Sequence, residues 1–256
     1  MIHETAIVDP KATLAEGVEI GPWSYIGPGV SIDSGTVVGP HVVIKGPTKI
    51  GKNNRFYQFS SVGEDSQDLK YHGEEAHLVM GDNNVIREFV TINRGTEHGG
   101  SITRVGSNNL FMAYVHIAHD CNVGNHTVFA NNASLAGHVS VADHVVFGGF
   151  SAVRQFVAIG EHSFIAGGTM VVKDVLPYVL VSGDPAEPCG LNSVGLKRRG
   201  FDEETISALK KAYKVIYRQG LTVKKAIESL EELVSECDLV RNLCEALRAS
   251  TRGIAR

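Results

Sequence analysis

Three residue pairs that could do chemistry recur at one interval: His119-Asp120, Gly137-His138 and Gln155-Phe156, each 18 residues beyond the last. In a chain that coils once per 18 residues, His119, Gly137 and Gln155 form one column and Asp120, His138 and Phe156 the next. An imidazole, a carboxylate and a second imidazole then share two neighbouring coils, with the Gly137 N–H one layer from His119. That inventory suits acyl transfer: a base for the attacking hydroxyl, a carboxylate to fix the imidazole, and a donor for the developing oxyanion. A strand spacing of about 4.8 Å would let base and donor bracket a tetrahedral carbon. His116 adds a polar group three residues before His119. The competing reading is a set of corner histidines facing water, and the columns alone leave both open. A third column, His126, His144 and His162, invites a metal reading. Metal ligands must converge. Imidazoles in one vertical row diverge more easily, so exposed polar corners and no metal site are expected there.

The coil itself is legible as a repeat. Stepping by six from Ile2 meets Val8, Leu14, Ile20, Ile26, Ile32, Val38, Ile44, Ile50, Phe56 and Val62. The series resumes as Met80, Ile86 and Ile92, then runs from Val105 through Phe111, Ile117, Val123, Phe129, Leu135, Val141, Phe147, Val153, Ile159 and Ile165 to Val171. With 43% apolar residues overall, such runs do not arise by chance. Four residues after each large residue comes a small or β-branched one, as at Val30, Val42, Cys121, Ala133 and Val157. Two inward positions per hexad suit a narrow tube with flat walls. Gly or Asp after the large residue tolerates the backbone of a corner. Three hexads then make one triangular coil, stacked on the next as parallel strands.

The period breaks twice, at 63–79 and 93–104, in polar stretches expected to project as loops from one face and to carry binding residues. The coil is expected to end near Pro177, where the next core residue should fall. Domains are accordingly drawn as a hexapeptide-repeat β-helix over 1–190 and a helical unit over 191–256. Asp202 should cap a helix bearing Ile206, Leu209, Ala212, Tyr213 and Ile216 and closed by Gly220, and Thr222 a second with Ala226, Ile227 and Leu230. A third helix is expected from about 239 to 249. Such helices would cover the open edge of the solenoid.

Net charge is −4, which excludes nucleic-acid binding by bulk attraction. Residues 192–256 nevertheless hold 13 Lys/Arg against 9 Asp/Glu, so anionic ligands or acidic partners are expected near the C-terminus, with solvated helix charge the plainer reading. The four cysteines show no CxxC or metal-ligand spacing and read as reduced thiols. Without an apolar leader or long apolar run, a cytoplasmic protein with no membrane insertion is expected.

The segments His116-Ile117-Ala118-His119-Asp120-Cys121, Gln67-Asp68-Leu69-Lys70-Tyr71, Leu135-Ala136-Gly137-His138-Val139 and Gly195-Leu196-Lys197-Arg198-Arg199-Gly200-Phe201 together resemble the UDP-N-acetylglucosamine O-acyltransferases, which begin lipid A synthesis. The resemblance runs the length of the chain. It implies a left-handed parallel β-helix with a C-terminal α-helical domain, a homotrimer with sites between subunits, and no cofactor. The reaction implied is transfer of a 3-hydroxyacyl group from acyl carrier protein to the glucosamine 3-hydroxyl of UDP-GlcNAc. Under it His119 is the general base, Asp120 orients it and the Gly137 amide holds the oxyanion. Gln67, Asp68, Lys70, His116, His138 and Gln155 become substrate contacts. Asn192, Arg198 and Arg199 become the nucleotide site, where forked guanidinium donors suit a diphosphate. Gly167 becomes the acyl-chain ruler, and a glycine there leaves room for a long chain; a plain turn glycine is the other reading.

Three residues depart from the family pattern. Asn93 and Arg154 stand where histidines are usual, and Val194 where a nucleotide-contacting glutamate is usual. Arg154 is expected to matter most, altering donor or nucleotide preference while the base mechanism stays. Rival readings are another hexapeptide-repeat acyltransferase with a different sugar nucleotide or acyl donor, a γ-carbonic-anhydrase-like zinc protein, and a non-catalytic scaffold.

Overall fold

The structure, a computed structural model, describes all residues from 1 to 256. Its first part is a three-walled parallel β-helix. The walls contain nine, eight and ten strands, and consecutive strands of the chain lie in different walls except for the last two, Val179–Ser182 and Glu187–Leu191, which pair within the third. Most strands are only two residues long, because the hexad leaves room for one inward residue and its outward neighbour before the chain must turn. The register is regular: Ile117 pairs with Leu135 and Leu135 with Val153 on the first wall, and Phe111, Phe129 and Phe147 follow one another on the third.

The hexad residues are the core. From Ile20 to Val171 the stepped series is buried throughout, and the rings of Phe111, Phe129 and Phe147 stack at 5.1 and 4.3 Å. At the small inward position, asparagine also fits. Asn54, Asn84 and Asn109 are buried, and each donates its side-chain amide to a carbonyl of the neighbouring coil, at Gly81, Gly106 and Gly124. A fully paired polar ladder inside the tube avoids the desolvation cost of orphaned amides. In the first coil Ile2 is exposed.

Corner residues adopt left-handed backbone angles even without glycine, among them Asp120 (φ 59°), His138 (φ 63°) and Phe156 (φ 66°). That conformation is uncommon for residues with a Cβ. Here it recurs in columns whose rings lie on one another, as Phe89 on Tyr114 at 4.7 Å.

Both inserted loops leave the first wall and rejoin the second. Ser61–Glu64 leads to His77–Met80, and Thr91–Asn93 to Ile102–Val105. Ser61 still pairs with Thr91 and Thr91 with His116, and the register shifts only past Val62, where Glu64 pairs with Asn93. The corner they spring from also carries His119, Gly137 and Gln155.

One boundary differs from the sequence expectation. The coil does not end at Pro177: Val179–Ser182 continues the third wall in parallel with Phe164–Ile165, then turns back on antiparallel Glu187–Leu191. Pro177 is accommodated because it sits at a corner, outside any ladder. Four helices follow: α1 (Ser193–Arg198), α2 (Glu203–Arg218), α3 (Val223–Glu236) and α4 (Asp238–Ala249). Asp202 and Thr222 cap α2 and α3 as anticipated, accepting from the amides of Thr205 and Lys225. The short α1 and the preceding hairpin have no counterpart in the sequence pattern. Residues after α4 return to the β-helix, where Ile254 bridges Asp174. No helix is long and apolar enough to cross a membrane.

Candidate active site

The corner between the first and second walls brings the expected catalytic residues together. His119 follows the strand His116–Ile117 and Gly137 the strand Ser134–Leu135 directly beneath it in the ladder. The His119 Nδ1 is 2.8 Å from the Asp120 carboxylate. Asp120 is fully buried at its side chain, while His119 keeps 13% of its own exposed. The same carboxylate accepts from the Thr96 amide (2.8 Å) and the Thr96 hydroxyl (2.6 Å). Burial pushes the Asp120 carboxyl up, but the bonds from His119 and Thr96 outweigh it and hold the group below its ordinary range. An ionised carboxylate accepts only, so it fixes the proton of His119 on Nδ1 and leaves Nε2 free to accept.

Gly137 lies against the imidazole so closely that a Cβ there would stand 2.5 Å from both Cε1 and Nε2 of His119. Its neighbours donate into the ladder, Ala136 to Val153 and His138 to His119, whereas the Gly137 N–H has no acceptor. Here glycine is required by close approach, because its φ is not left-handed. A peptide donor and an imidazole acceptor therefore sit side by side.

His138 completes the corner. Its ring stands edge-on to His119 at 5.1 Å, and its Nε2 lies 3.8 Å from the Asp120 carboxylate. Burial lowers its pKa against the pull of Asp120, which favours the neutral ring. His116 sits on the first wall, hydrogen-bonded through Nδ1 to Thr91 Oγ1 at 2.7 Å, and burial lowers its pKa as well. It lines a groove of about 490 Å³ with Leu135, Ala136, Val153, Arg154 and Met170. Gln155 is exposed, one rung below Gly137.

The first loop places Asp68 with its carboxylate 4.0 Å from His119 Nε2. The Lys70 amide chiefly, and then His119, hold the Asp68 carboxyl low. Gln67 and Lys70 point to solvent in the same loop. Asn93 and Arg94 anchor its root: Asn93 donates to the Asp65 carbonyl at 2.7 Å, and buried Arg94 donates to the carbonyls of Gly46 and Gly63 and to the Asp65 carboxylate. Asn93 thus holds the loop from below.

The second loop holds what sequence reasoning missed. Thr96 supplies two donors to Asp120, and Gly99 packs on that carboxylate with no room for a Cβ. The available signal was phase, since both insertions interrupt the repeat at the corner of His119.

Asn192, Arg198, Arg199 and Val194 meet elsewhere, in a cleft of about 440 Å³ against Val146, Phe164 and Leu180 of the third wall. Asn192 is also a helix cap, accepting from the Gly195 amide at 3.2 Å and donating to the His162 carbonyl at 2.9 Å. Arg199 is partly buried, which lowers its pKa. Gly167 is exposed at the corner between the third and first walls. Within one chain this cleft and the Gly167 corner are separate from the corner of His119.

His126, His144 and His162 stack face to face at 4.9 and 4.5 Å. Ring-plane lone pairs of stacked imidazoles do not converge, so the column supplies no metal cage. His162 differs from the exposed corner expected of it, being buried with its pKa pushed down to about 4. The donor atoms that do converge belong to His119, Asp120 and His138, within 4.8 Å of one another. There His119 Nδ1 and the Asp120 carboxylate are already at hydrogen-bond distance.

Comparisons with known proteins agree along the whole chain. Residues 174–255 match the second domain of UDP-N-acetylglucosamine O-acyltransferase, and 102–137 match the bacterial transferase hexapeptide. The acyl-[acyl-carrier-protein]–UDP-N-acetylglucosamine O-acyltransferase of Pseudomonas entomophila is 55% identical, the alignment covering 100% of this chain and 99% of that one. The solved UDP-N-acetylglucosamine O-acyltransferase of Moraxella catarrhalis superposes with a TM-score of 0.98 at 45% identity, covering 100% and 99%. The Francisella novicida UDP-N-acetylglucosamine acyltransferase gives 0.97 at 42%, covering 100% and 94%. The solenoid is accordingly a left-handed parallel β-helix, the rare hand for a crossover between parallel strands.

Proposed function

The chain belongs to the UDP-N-acetylglucosamine O-acyltransferase family, and from that premise we infer that His119 catalyses direct acyl transfer from acyl carrier protein to UDP-GlcNAc, the first step of lipid A synthesis. The observation that carries the mechanism is the juxtaposition of three groups at one corner: a buried carboxylate, an imidazole with a free Nε2, and a glycine amide without an acceptor.

In this reading the glucosamine 3-hydroxyl sits between His119 Nε2 and the thioester carbon of a 3-hydroxyacyl donor. His119 takes the hydroxyl proton as the oxygen attacks, and Asp120 stabilises the imidazolium that forms. The Gly137 N–H donates to the carbonyl oxygen as it becomes an oxyanion. Collapse expels the carrier thiolate, to which His119 returns the proton. Asp68, 4.0 Å from Nε2, would hold a sugar hydroxyl beside the base. Gln67, Lys70, His116, His138 and Gln155 would contact the substrates.

A covalent acyl-enzyme is not needed. The thiol beside the base, Cys121, points into the tube, donates to the Ala136 carbonyl, and burial pushes its pKa up to about 12. Arg198 and Arg199 would grip the diphosphate, with Asn192 holding the helix that carries them. Gly167 would set the depth available to the acyl chain. Those groups lie on the far side of the prism from His119. A homotrimer that sets the third wall of one subunit against the His119 corner of the next would unite them. Equilibrium sedimentation tests the trimer. The activity is tested with a ladder of 3-hydroxyacyl carrier proteins and UDP-GlcNAc, where loss of the thioester should match appearance of the O-acyl sugar nucleotide. Turnover of acetyl-CoA in place of every carrier donor would overturn the reading.

A further inference from the structure

The column Asp120, His138, Phe156 does not stop at Phe156. The Phe156 ring lies flat on His138, with centroids 4.3 Å apart and planes 7° apart. On the other side of Phe156 lies the Arg252 guanidinium, 4.7 Å from the ring centroid. Arg252 comes from the segment after α4, so the C-terminal tail supplies the next rung of the catalytic column.

That rung is firmly fixed. Asp174 donates its amide to the Gly253 carbonyl and accepts from the Ala255 amide through its own carbonyl. Its side chain accepts from Ser250 Oγ at 2.7 Å and from the Ala158 amide at 2.9 Å. The tail is therefore fastened beside the last coil by a single parallel bridge at Ile254, with Arg252 over the ring. Phe156 is 44% exposed, so burial alone does not hold it. Stacking on both faces does, since a guanidinium is attracted to the negative face of an aromatic ring.

We propose that Phe156 and Arg252 are positioning residues for the transfer reaction: they clamp the His138 ring edge-on to His119 and aim its Nε2 at Asp120. Burial keeps His138 neutral, and Asp120, His119 and Asp68 are the titratable groups facing it. A neutral imidazole held at 3.8 Å from the shared carboxylate is one rotamer from leaving it. Without the Phe156 face below it, the ring is free to swing out, and the electrostatics of the Asp120–His119 pair change with it. The inference rests on the assignment of His119 as base and of His138 to the same site.

The test compares Phe156→Leu, Phe156→Tyr, Arg252→Met and Arg252→Lys with His138→Ala in the full-length protein. Melting temperature serves as the folding control, and kcat, KM and the pH profile as readouts. Phe156→Leu should lower kcat about tenfold with little change in KM for UDP-GlcNAc, as misplacement of a site group does. It should also displace the lower limb of the kcat–pH profile. Phe156→Tyr should restore both. Arg252→Met should lie between wild type and Phe156→Leu, and Arg252→Lys nearer wild type. A lower melting temperature with kcat and pH profile unmoved in Phe156→Leu would mean that the stack only fastens the tail, overturning the proposal. If His138→Ala itself turns over like wild type, the placement of His138 in the site fails instead, and the proposal with it.

Discussion

Gly137→Ala is the smallest change that separates the donor from the base it serves. The added methyl keeps the peptide N–H but would stand 2.5 Å from Cε1 and Nε2 of His119. Ordinary contact between such atoms is about 3.5–4.0 Å, so the imidazole must retreat by roughly 1 Å. It cannot retreat without lengthening or bending the 2.8 Å bond to Asp120, whose carboxylate is held in place by Thr96. A displacement of that size costs about 10²-fold in rate, equivalent to about 2.7 kcal/mol at the transition state. Because Gly137 lacks a left-handed φ, alanine imposes no backbone penalty, and melting should change little. The assay is steady-state acyl transfer from a 3-hydroxyacyl carrier protein to UDP-GlcNAc, with the melting temperature measured alongside. A rate within threefold of wild type in a normally folded protein would refute the packing argument and the site built on it.

Thr96→Val removes one of the two Thr96 donors to Asp120, and kcat should fall about 10- to 10²-fold, as charge-assisted hydrogen bonds of this kind contribute about 1.5–3 kcal/mol; an unchanged kcat would show that the second loop merely covers the site. Stability should fall with acid through His162. Its folded pKa lies below the unfolded value, so its contribution is complete above about pH 6.5 and is lost as pH falls toward about 4. Burial is the main cause, with His144 and Arg199 adding and Glu161 and Asp143 opposing. His162→Phe keeps the stack between His144 and Tyr178, and should flatten the fall in melting temperature between those pH values; a parallel fall would contradict this origin. Arg154→His should change the ranking of acyl donors by chain length, because Arg154 lines the groove shared with His116 and Met170; identical kinetics across donor lengths would count against it.

The solenoid was legible because its core is written as a strict period: one large residue per hexad leaves a trace in sequence that no tertiary contact is needed to interpret. The His119, Asp120, Gly137 and His138 cluster followed, since residues 18 apart must stack in a coil of that length. What the period could not reveal lies in the segments that interrupt it. Thr96 reaches Asp120 across 24 positions through a loop with no repeat to index it. Arg252 reaches Phe156 only because the chain doubles back after α4. The coil runs past Pro177 for a related reason, as that residue falls at a corner where its missing N–H is not required. The family resemblance assigned Asn192 to the nucleotide, yet its amide is also spent on α1 and the His162 carbonyl, a contact no spacing announces.

The account depends most on His119 as the group that takes the proton from the sugar hydroxyl. His119→Ala should fold and bind UDP-GlcNAc as wild type does, while single-turnover transfer from a 3-hydroxyacyl carrier protein slows by about 10²–10⁴-fold. Transfer by that variant at close to the wild-type rate would contradict it.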